Sequence, residues 1–366
     1  MSPPSPVLSN IAPAGPVVLF GSGETSSMGR KAFDWVFRRL AQAPHVAILE
    51  TPAGFQPNSA WVASQVADFL TERLVEFSPQ STTVPARERG TPLSPDNAEI
   101  LGPLLTANTL YLGAGSPTYA VGQLRDSLAW HMVIGRQRLG AALVLSSAAV
   151  LAASSQTLPV YEIYKVGEKL HWKPGLNFFG PYGLELVFVP HWNNTEGGAN
   201  LDTCFCFMGG ARFEKMVAML PETATILGID EHTALTVDLQ TGACQVIGAG
   251  QVTVLSPYAR KVTEYAHSFD LAEIGSFQPP NPAEGLPPDL WASLQANGRT
   301  AQPASPAASD ALPPQPVPPE VMRLVEAREA ARQRRDWPAA DKLRNEVLAL
   351  GWQIQDTATG AAVKPR

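Results

Sequence analysis

The chain has 366 residues, 45% of them hydrophobic and 16% charged, with 34 prolines and a formal net charge of -6. That length exceeds a usual single domain, so a large domain and a smaller one are expected, with the proline excess in a linker. The acidic balance, with no basic run ahead of the proline-rich stretch, excludes a nucleic-acid backbone or an anionic membrane as partner of the main body, and no apolar run approaches the roughly 20 residues of a membrane span.

The amino terminus, MSPPSPVLSN, has neither the positive nor the apolar region of a signal peptide, so residues 1–15 read as a flexible start to a soluble, cytoplasmic protein. From 16 to 276, short apolar runs alternate with helical stretches. VVLF at Val17 is the first run, and MGRKAFDWVFRRLAQ after it repeats Phe33, Val36, Phe37 and Leu40 at helical spacing. HVAILE, TLYLG, AALVLS, LELVFVP, TILGI and ALTVD follow in order, each the pattern of a strand buried on both faces. The expected fold is α/β, a mostly parallel sheet flanked by crossover helices. Cys204, Cys206 and Cys244 form neither an even set nor a CxxC pair and read as small buried residues in a reducing compartment; no metal and no cofactor is expected.

From 277 to 318 the composition turns to Pro, Ala and Ser, which cannot bury enough apolar surface to offset the entropy of ordering. An extended connector is expected there, with Leu290, Trp291 and Leu294 able to dock locally. From 319 to 366, Val321, Leu324, Val325 and Arg328 open one helix. Asp336 caps a second, with Pro338 in its first turn and Gly351 as its stop. Ala340, Leu343, Val347 and Leu350 give this second helix one apolar face, so a helical hairpin is expected, too small for catalysis and suited to binding.

Chemistry is expected at the carboxyl ends of the strands. GAALVLSSAAVLAAS places Ser146 and Ser147 between a strand and a run of alanines, the strand-turn-helix context of a nucleophile elbow. Small residues also suit plain packing of a helix on a sheet. YLGAGSPTYAVGQLRD puts Gly115 and Ser116 after a strand and before a helix, where their backbone N–H groups, with that of Ala148, can form an oxyanion hole. VVLFGSGET makes a similar turn, with no Walker lysine and no dinucleotide fingerprint after it. VFVPHWNNTEGG sets His191 beyond a strand end, a position the remaining histidines lack, and this makes it the candidate base. Glu162, Glu168, Asp230 and Glu231 are all candidates for the carboxylate that fixes the imidazole tautomer, and sequence does not select among them.

Taken in order, LFGSGE, LYLGAGSPTYAVGQLRDS, LVLSSAAVLA, VFVPHWNN and GIDEHTALTVD resemble the cyanophycinase and aspartyl dipeptidase family of serine peptidases over 17–255. The resemblance implies a class I glutamine-amidotransferase-like, flavodoxin-like fold, a nucleophile at Ser147, a catalytic histidine at His191, and hydrolysis of peptide or related amide bonds. In that family the elbow reads Gly-x-Ser-Ala-Gly-Ala. Here it reads Leu145-Ser146-Ser147-Ala148-Ala149-Val150, so both glycines are replaced and the turn must reach its backbone angles without them. HWNNTEGG carries no arginine to clamp an acidic substrate, for which Arg212 is an unaligned candidate. The altered elbow also fits a different class of function, an inactive amidotransferase-like domain that binds a small ligand and is carried to an RNA or a protein by its tail.

LVEAREAARQRRDWPAADKLRNEVLALGWQIQDTATG, 324 to 360, is similar to the C-terminal domain of cysteinyl-tRNA synthetases. This implies that Arg328, Arg332, Arg334, Arg335, Lys342 and Arg344 meet RNA phosphates, although the interspersed acidic residues suit a solvated face as well. The whole chain does not read as such a synthetase, since it has no HIGH-like motif, no KMSKS-like loop and no cysteine-binding zinc set. The expected partners are a peptide or small amide substrate, a tRNA or protein at the tail, and a second copy in a homodimer, with no membrane.

Overall fold

The computed structural model describes residues 13–256, 261–301, 318–334, 336–349, 352–357 and 360–365. The chain divides into two compact units, Met1–Gln302 and Pro303–Arg366. The first unit begins with β1 (Val17–Phe20), α1 (Ser27–Phe37), β2 (His45–Leu49), α2 (Ser59–Arg73), β3 (Gln80–Val84) and α3 (Gly102–Thr106). It continues through β4 (Thr109–Leu112), α4 (Pro117–Leu124), α5 (Leu128–Arg138), β5 (Ala142–Ser146), α6 (Ala148–Ala152), β6 (Gln156–Thr157) and β7 (Lys173–Pro174). Then come β8 (Leu186–Val189), α7 (Gly210–Val217), β9 (Thr225–Ile229), β10 (Thr233–Val237), β11 (Ala243–Gly248), β12 (Val252–Ser256), β13 (Lys261–Tyr265), β14 (Ser268–Asp270) and α8 (Pro288–Ala301).

An eight-stranded sheet has the order β14-β11-β10-β1-β5-β4-β2-β3. Its β1, β5, β4, β2 and β3 run parallel, and β10, β11 and β14 extend it antiparallel. The chain is thus α/β with a mostly parallel sheet flanked by helices, as expected. Every residue of β5 is buried because both faces are covered. Leu143 and Leu145 share one core with Trp130 and Val133 of α5, and Ala142 and Val144 share another with Phe33 of α1 and Leu70 of α2.

Two features depart from the sequence reading. β8 and β9 lie in a separate four-stranded sheet of order β13-β12-β9-β8. A continuous apolar run reports burial on two faces but not the sheet that supplies them. Here Leu186 and Phe188 join the core that contains Leu143, whereas Val187 and Val189 cluster with Phe213 and Met216 of α7. Secondly, the stretch expected as an extended connector carries α8; Leu294 on it is fully buried, in keeping with the local docking expected of it. Gly135 on α5 makes the room for it, since a Cβ there would lie 2.4 Å from Leu294 Cδ1. Residues 302–317 of that stretch, and 1–12 of the expected flexible start, lie outside the described residues.

In the second unit α9 (Pro319–Gln333) and α10 (Trp337–Ala349) pack on each other, followed by the antiparallel hairpin of β15 (Trp352–Thr357) and β16 (Gly360–Pro365). Asp336 caps α10 as expected, its carboxylate accepting from the amide of Ala339 at 3.2 Å. Val321, Val325, Ala340 and Val347 are buried. The hairpin is an addition to the helical module read from the sequence. Among the described residues no helix is long and apolar enough to cross a membrane.

Candidate active site

The ends of β1, β5 and β4 are in register, with Phe20 opposite Ser146 and Leu112 opposite Leu145. The loops that follow therefore open along one edge of the sheet, the place where α/β sheets hold ligands. Ser147 is the hinge between β5 and α6, with φ 50° and ψ -108°. A non-glycine residue in that region is strained, and the sharp turn lifts its side chain clear of the strand line.

His191 follows β8, and its backbone is fixed on both sides. Its amide donates to the Gly21 carbonyl at 3.2 Å, and its carbonyl accepts from the amides of Asn194 and Cys206 at 3.2 and 3.1 Å. The ring bridges two side chains: Nε2 lies 3.0 Å from Ser147 Oγ and Nδ1 lies 3.1 Å from Glu231 Oε1. A carboxylate can only accept, so Nδ1 carries the proton and Nε2 presents its lone pair to the serine hydroxyl.

Glu231 sits in the turn that carries the chain from β9 in the smaller sheet to β10 in the larger. Asn194 Nδ2 donates to the same Oε1 at 2.9 Å, and the Glu231 amide donates to Asn193 Oδ1 at 2.8 Å. The hydrogen bond from His191 lowers the Glu231 carboxyl below the usual range against the opposing effect of burial, and the Asn194 bond lowers it further. Trp192 lies flat against β9 at Gly228, where a Cβ would fall 2.2 Å from the indole. The sequence reading gave the two asparagines of HWNN no role; they brace the carboxylate behind the histidine.

The structure separates the four carboxylate candidates. Glu162 accepts from Thr118 Oγ1 at 2.5 Å and from Lys173 Nζ at 3.4 Å, and Glu168 lies 3.7 Å from His171, so neither partners His191. Asp230 accepts from the amide of Gln251 at 3.0 Å. Among the oxyanion candidates, the Ser116 amide donates to the Pro52 carbonyl at 2.9 Å and the Ser116 hydroxyl caps α4, so Ser116 is occupied elsewhere. Gly115, at φ 152°, presses so close to that turn that a Cβ would sit 1.9 Å from Pro52 O. Its amide has no acceptor among the described residues, and Ala148 is the first residue of α6, ahead of the helix's own hydrogen-bond ladder.

Ser147, His191, Gly115 and Ala148 line one cavity of about 560 Å³. Cys206 and Phe207 in its wall belong to a left-handed turn of three successive non-glycine residues, Phe205, Cys206 and Phe207, at φ 56°, 54° and 68°. Aromatic packing offsets that strain: Phe205 stacks on Phe213 at 4.6 Å, and Phe207 packs on Tyr164 at 5.2 Å and on the His191 ring at 6.3 Å. Burial pushes the Cys206 thiol up to about 12, so it stays neutral. Cys244 is buried as expected, whereas Cys204 is only partly so. Arg212 donates to the carbonyls of Met208 and Phe207 at 2.5 and 2.8 Å, bracing this turn. Among the described residues no group of three or more His, Cys, Asp or Glu is arranged to hold a metal ion.

The fold matches that of a peptidase from an acI-B1 actinobacterium. That chain is 19% identical at a TM-score of 0.55, with 70% of the present chain and 97% of the other covered. In sequence, residues 315–362 match the cysteinyl-tRNA ligase anticodon-binding domain. The chain is also 53% identical over 50 residues to the cysteine–tRNA ligase of Rubrobacter xylanophilus, 14% of this chain and 11% of that one. It is 52% identical over 48 residues to the enzyme of Chlamydia trachomatis, 13% of this chain and 10% of that one. The chain thus spans about a tenth of the length of these relatives.

Of the basic residues that this likeness singles out, Arg334, Lys342 and Arg344 are exposed. Arg328 is only 6% exposed, a correction to its expected place on an RNA-facing surface. It stands seven residues after Val321 and three after Val325 on the same helix stripe, which carries it into the packed side. Arg332 lies on α9, and Arg335 lies outside the described residues.

Proposed function

We propose that the first unit is a serine-type hydrolase of peptide or related amide bonds. The observation that carries this reading is the unbroken relay from Ser147 Oγ through His191 to Glu231, at 3.0 and 3.1 Å, with the serine on a sharp turn at the end of a central parallel strand. Ser147 Oγ attacks the scissile carbonyl carbon as its proton passes to His191 Nε2. The ionised Glu231 stabilises the imidazolium that forms and holds its tautomer, and Asn194 holds Glu231. The amides of Gly115 and Ala148 receive the oxyanion, where one such donor is worth about 3–4 kcal/mol of transition-state stabilisation. Collapse of the intermediate breaks the C–N bond, and His191 returns the proton to the departing amine. Water then attacks the acyl carbon as its proton passes to Nε2; collapse of that second intermediate breaks the C–Oγ bond, Nε2 returns the proton to Ser147 Oγ, and the carboxylic acid departs.

Fluorophosphonate labelling with peptide mapping tests this reading. The wild type takes one adduct, at Ser147, and Ser147→Ala takes none while melting at the same temperature. Equal labelling of the two proteins would refute it.

The second unit supports a separate role. Its match to an anticodon-binding domain, with Lys342 and Arg344 exposed on one helix, favours contact with tRNA. A gel shift with bulk tRNA that disappears when the chain is cut after Pro318 supports this, and a shift that persists refutes it.

A further inference from the structure

The charge and polarity of the cavity beside Ser147 bear on which peptides enter it. Its deeper lining is apolar: Leu151, Val160 and Cys206 are buried at 2%, 6% and 3% exposure, and the Cys206 thiol is neutral. Tyr161, Tyr164 and Phe207 form aromatic walls. The ionisable groups that line it apart from His191, Cys206 and the two tyrosines are Lys165 and Glu196, one of each sign, and both are exposed to water. The ammonium of Lys165 lies 4.9 Å from the Tyr164 ring centroid. Arg212, the guanidinium that an acidic side chain would require, is spent on two backbone carbonyls of the left-handed turn.

A carboxylate or ammonium placed against Leu151 and Val160 would lose its hydration and gain no counterion. A large apolar side chain would lose nothing there. It would also cover Tyr161 and Leu201, which are 43% and 45% exposed at the cavity wall.

We infer that this cavity is a subsite for a large apolar side chain, aromatic or branched aliphatic, carried by a peptide. The inference rests on the hydrolase reading only for the peptide's orientation at Ser147; the subsite itself needs no nucleophile. A cavity of about 560 Å³ falls within the ordinary range for a small organic ligand, enough for a short peptide with one such side chain.

Two measurements on the full chain keep the subsite and the hydrolase reading apart. In the first, Ser147→Ala protein is titrated calorimetrically with acetyl-Gly-Xaa-Gly-amide peptides in which Xaa is Phe, Leu, Asp or Lys. The Phe and Leu peptides bind about tenfold more tightly than the Asp and Lys peptides, the discrimination that an apolar pocket gives. Leu201→Ser on the same background, with its melting temperature as the control for folding, lowers the Phe affinity severalfold and leaves the Asp affinity where it was. Equal or tighter binding of the Asp or Lys peptide overturns the subsite, and so does a lack of binding by all four at millimolar concentration. In the second measurement, the wild type is labelled with a fluorophosphonate. Labelling at Ser147 together with a preference for Asp sinks the subsite alone, and a preference for Phe without labelling sinks the hydrolase reading alone.

Discussion

Glu231→Gln is the substitution that bears most directly on the proposed relay. The amide oxygen can still accept both Nδ1–H of His191 and Nδ2–H of Asn194, so the turn between β9 and β10 keeps its hydrogen bonds and the fold is expected to survive. What is lost is the charge opposite the imidazolium. At a separation of about 4 Å and an effective dielectric constant of about 20, that charge is worth about 4 kcal/mol. The side chains of His191 and Glu231 are 19% and 24% exposed, so water reduces the effect, and about 3 kcal/mol, or a hundred- to thousandfold in rate, is the expected loss. The assay is the rate constant for fluorophosphonate labelling at Ser147, followed across pH with circular dichroism on the same samples. A rate within threefold of wild type, from a folded Glu231→Gln protein, would refute the orienting role of Glu231. Stability supplies a second readout. The carboxyl is lowered in the folded state, chiefly by the His191 hydrogen bond, so the native protein binds its proton less readily than the unfolded chain and stability rises with pH. The contribution is present above the ordinary glutamate value of about 4.3 and is lost as pH falls through the lower folded value. The melting-temperature gap between wild type and Glu231→Gln is therefore widest near neutrality and closes in acid; a gap that widens on acidification contradicts the assignment.

Leu294→Ala should cost the first unit about 2–4 kcal/mol in urea denaturation, because a fully buried leucine leaves a cavity against α5; no change would mean that α8 contributes nothing to that core. Lys342→Glu with Arg344→Glu should weaken tRNA binding by at least about tenfold and flatten its dependence on salt, since each lost phosphate contact removes counterion release. An unaltered shift would move the tRNA contact off α10.

The parallel strands of the larger sheet that face helices on both sides were legible because their apolar runs are continuous, and the helical spacing of Phe33, Val36 and Phe37 placed α1. Apart from the largely buried β12, which the apolar runs also passed over, several strands that stayed hidden have the opposite character. β3 reads QSTTV and is mostly solvent-facing, β11 alternates exposed with buried residues, and β6, β7 and β14 are two or three residues long. Such segments are strands because a neighbour supplies hydrogen bonds, which composition does not record. The serine and the histidine were legible from their positions past strand ends. The partner of His191 was not, because Glu162, Glu168, Asp230 and Glu231 are alike in type and only the crossing from one sheet to the other brings Glu231 beneath the ring. Asn194 carried a weak signal, a polar residue three positions after the histidine, which a reading centred on ionisable groups passes over.

The elbow itself shows why its missing glycines need not disable it. The sequence raised the concern that Leu145 and Ala149 replace residues that tolerate unusual backbone angles. Yet Leu145 is an ordinary member of β5, paired with Leu19 and Leu112, and Ala149 is inside α6. The positive φ falls on Ser147 alone, so neither replaced position has to leave the regions open to any residue. What those positions require is space: Leu145 and Ala149 are 1% and 3% exposed, packed within a single core. An alanine adds one methyl at the start of α6, and this chain accommodates it with Ser147 Oγ still 3.0 Å from His191 Nε2.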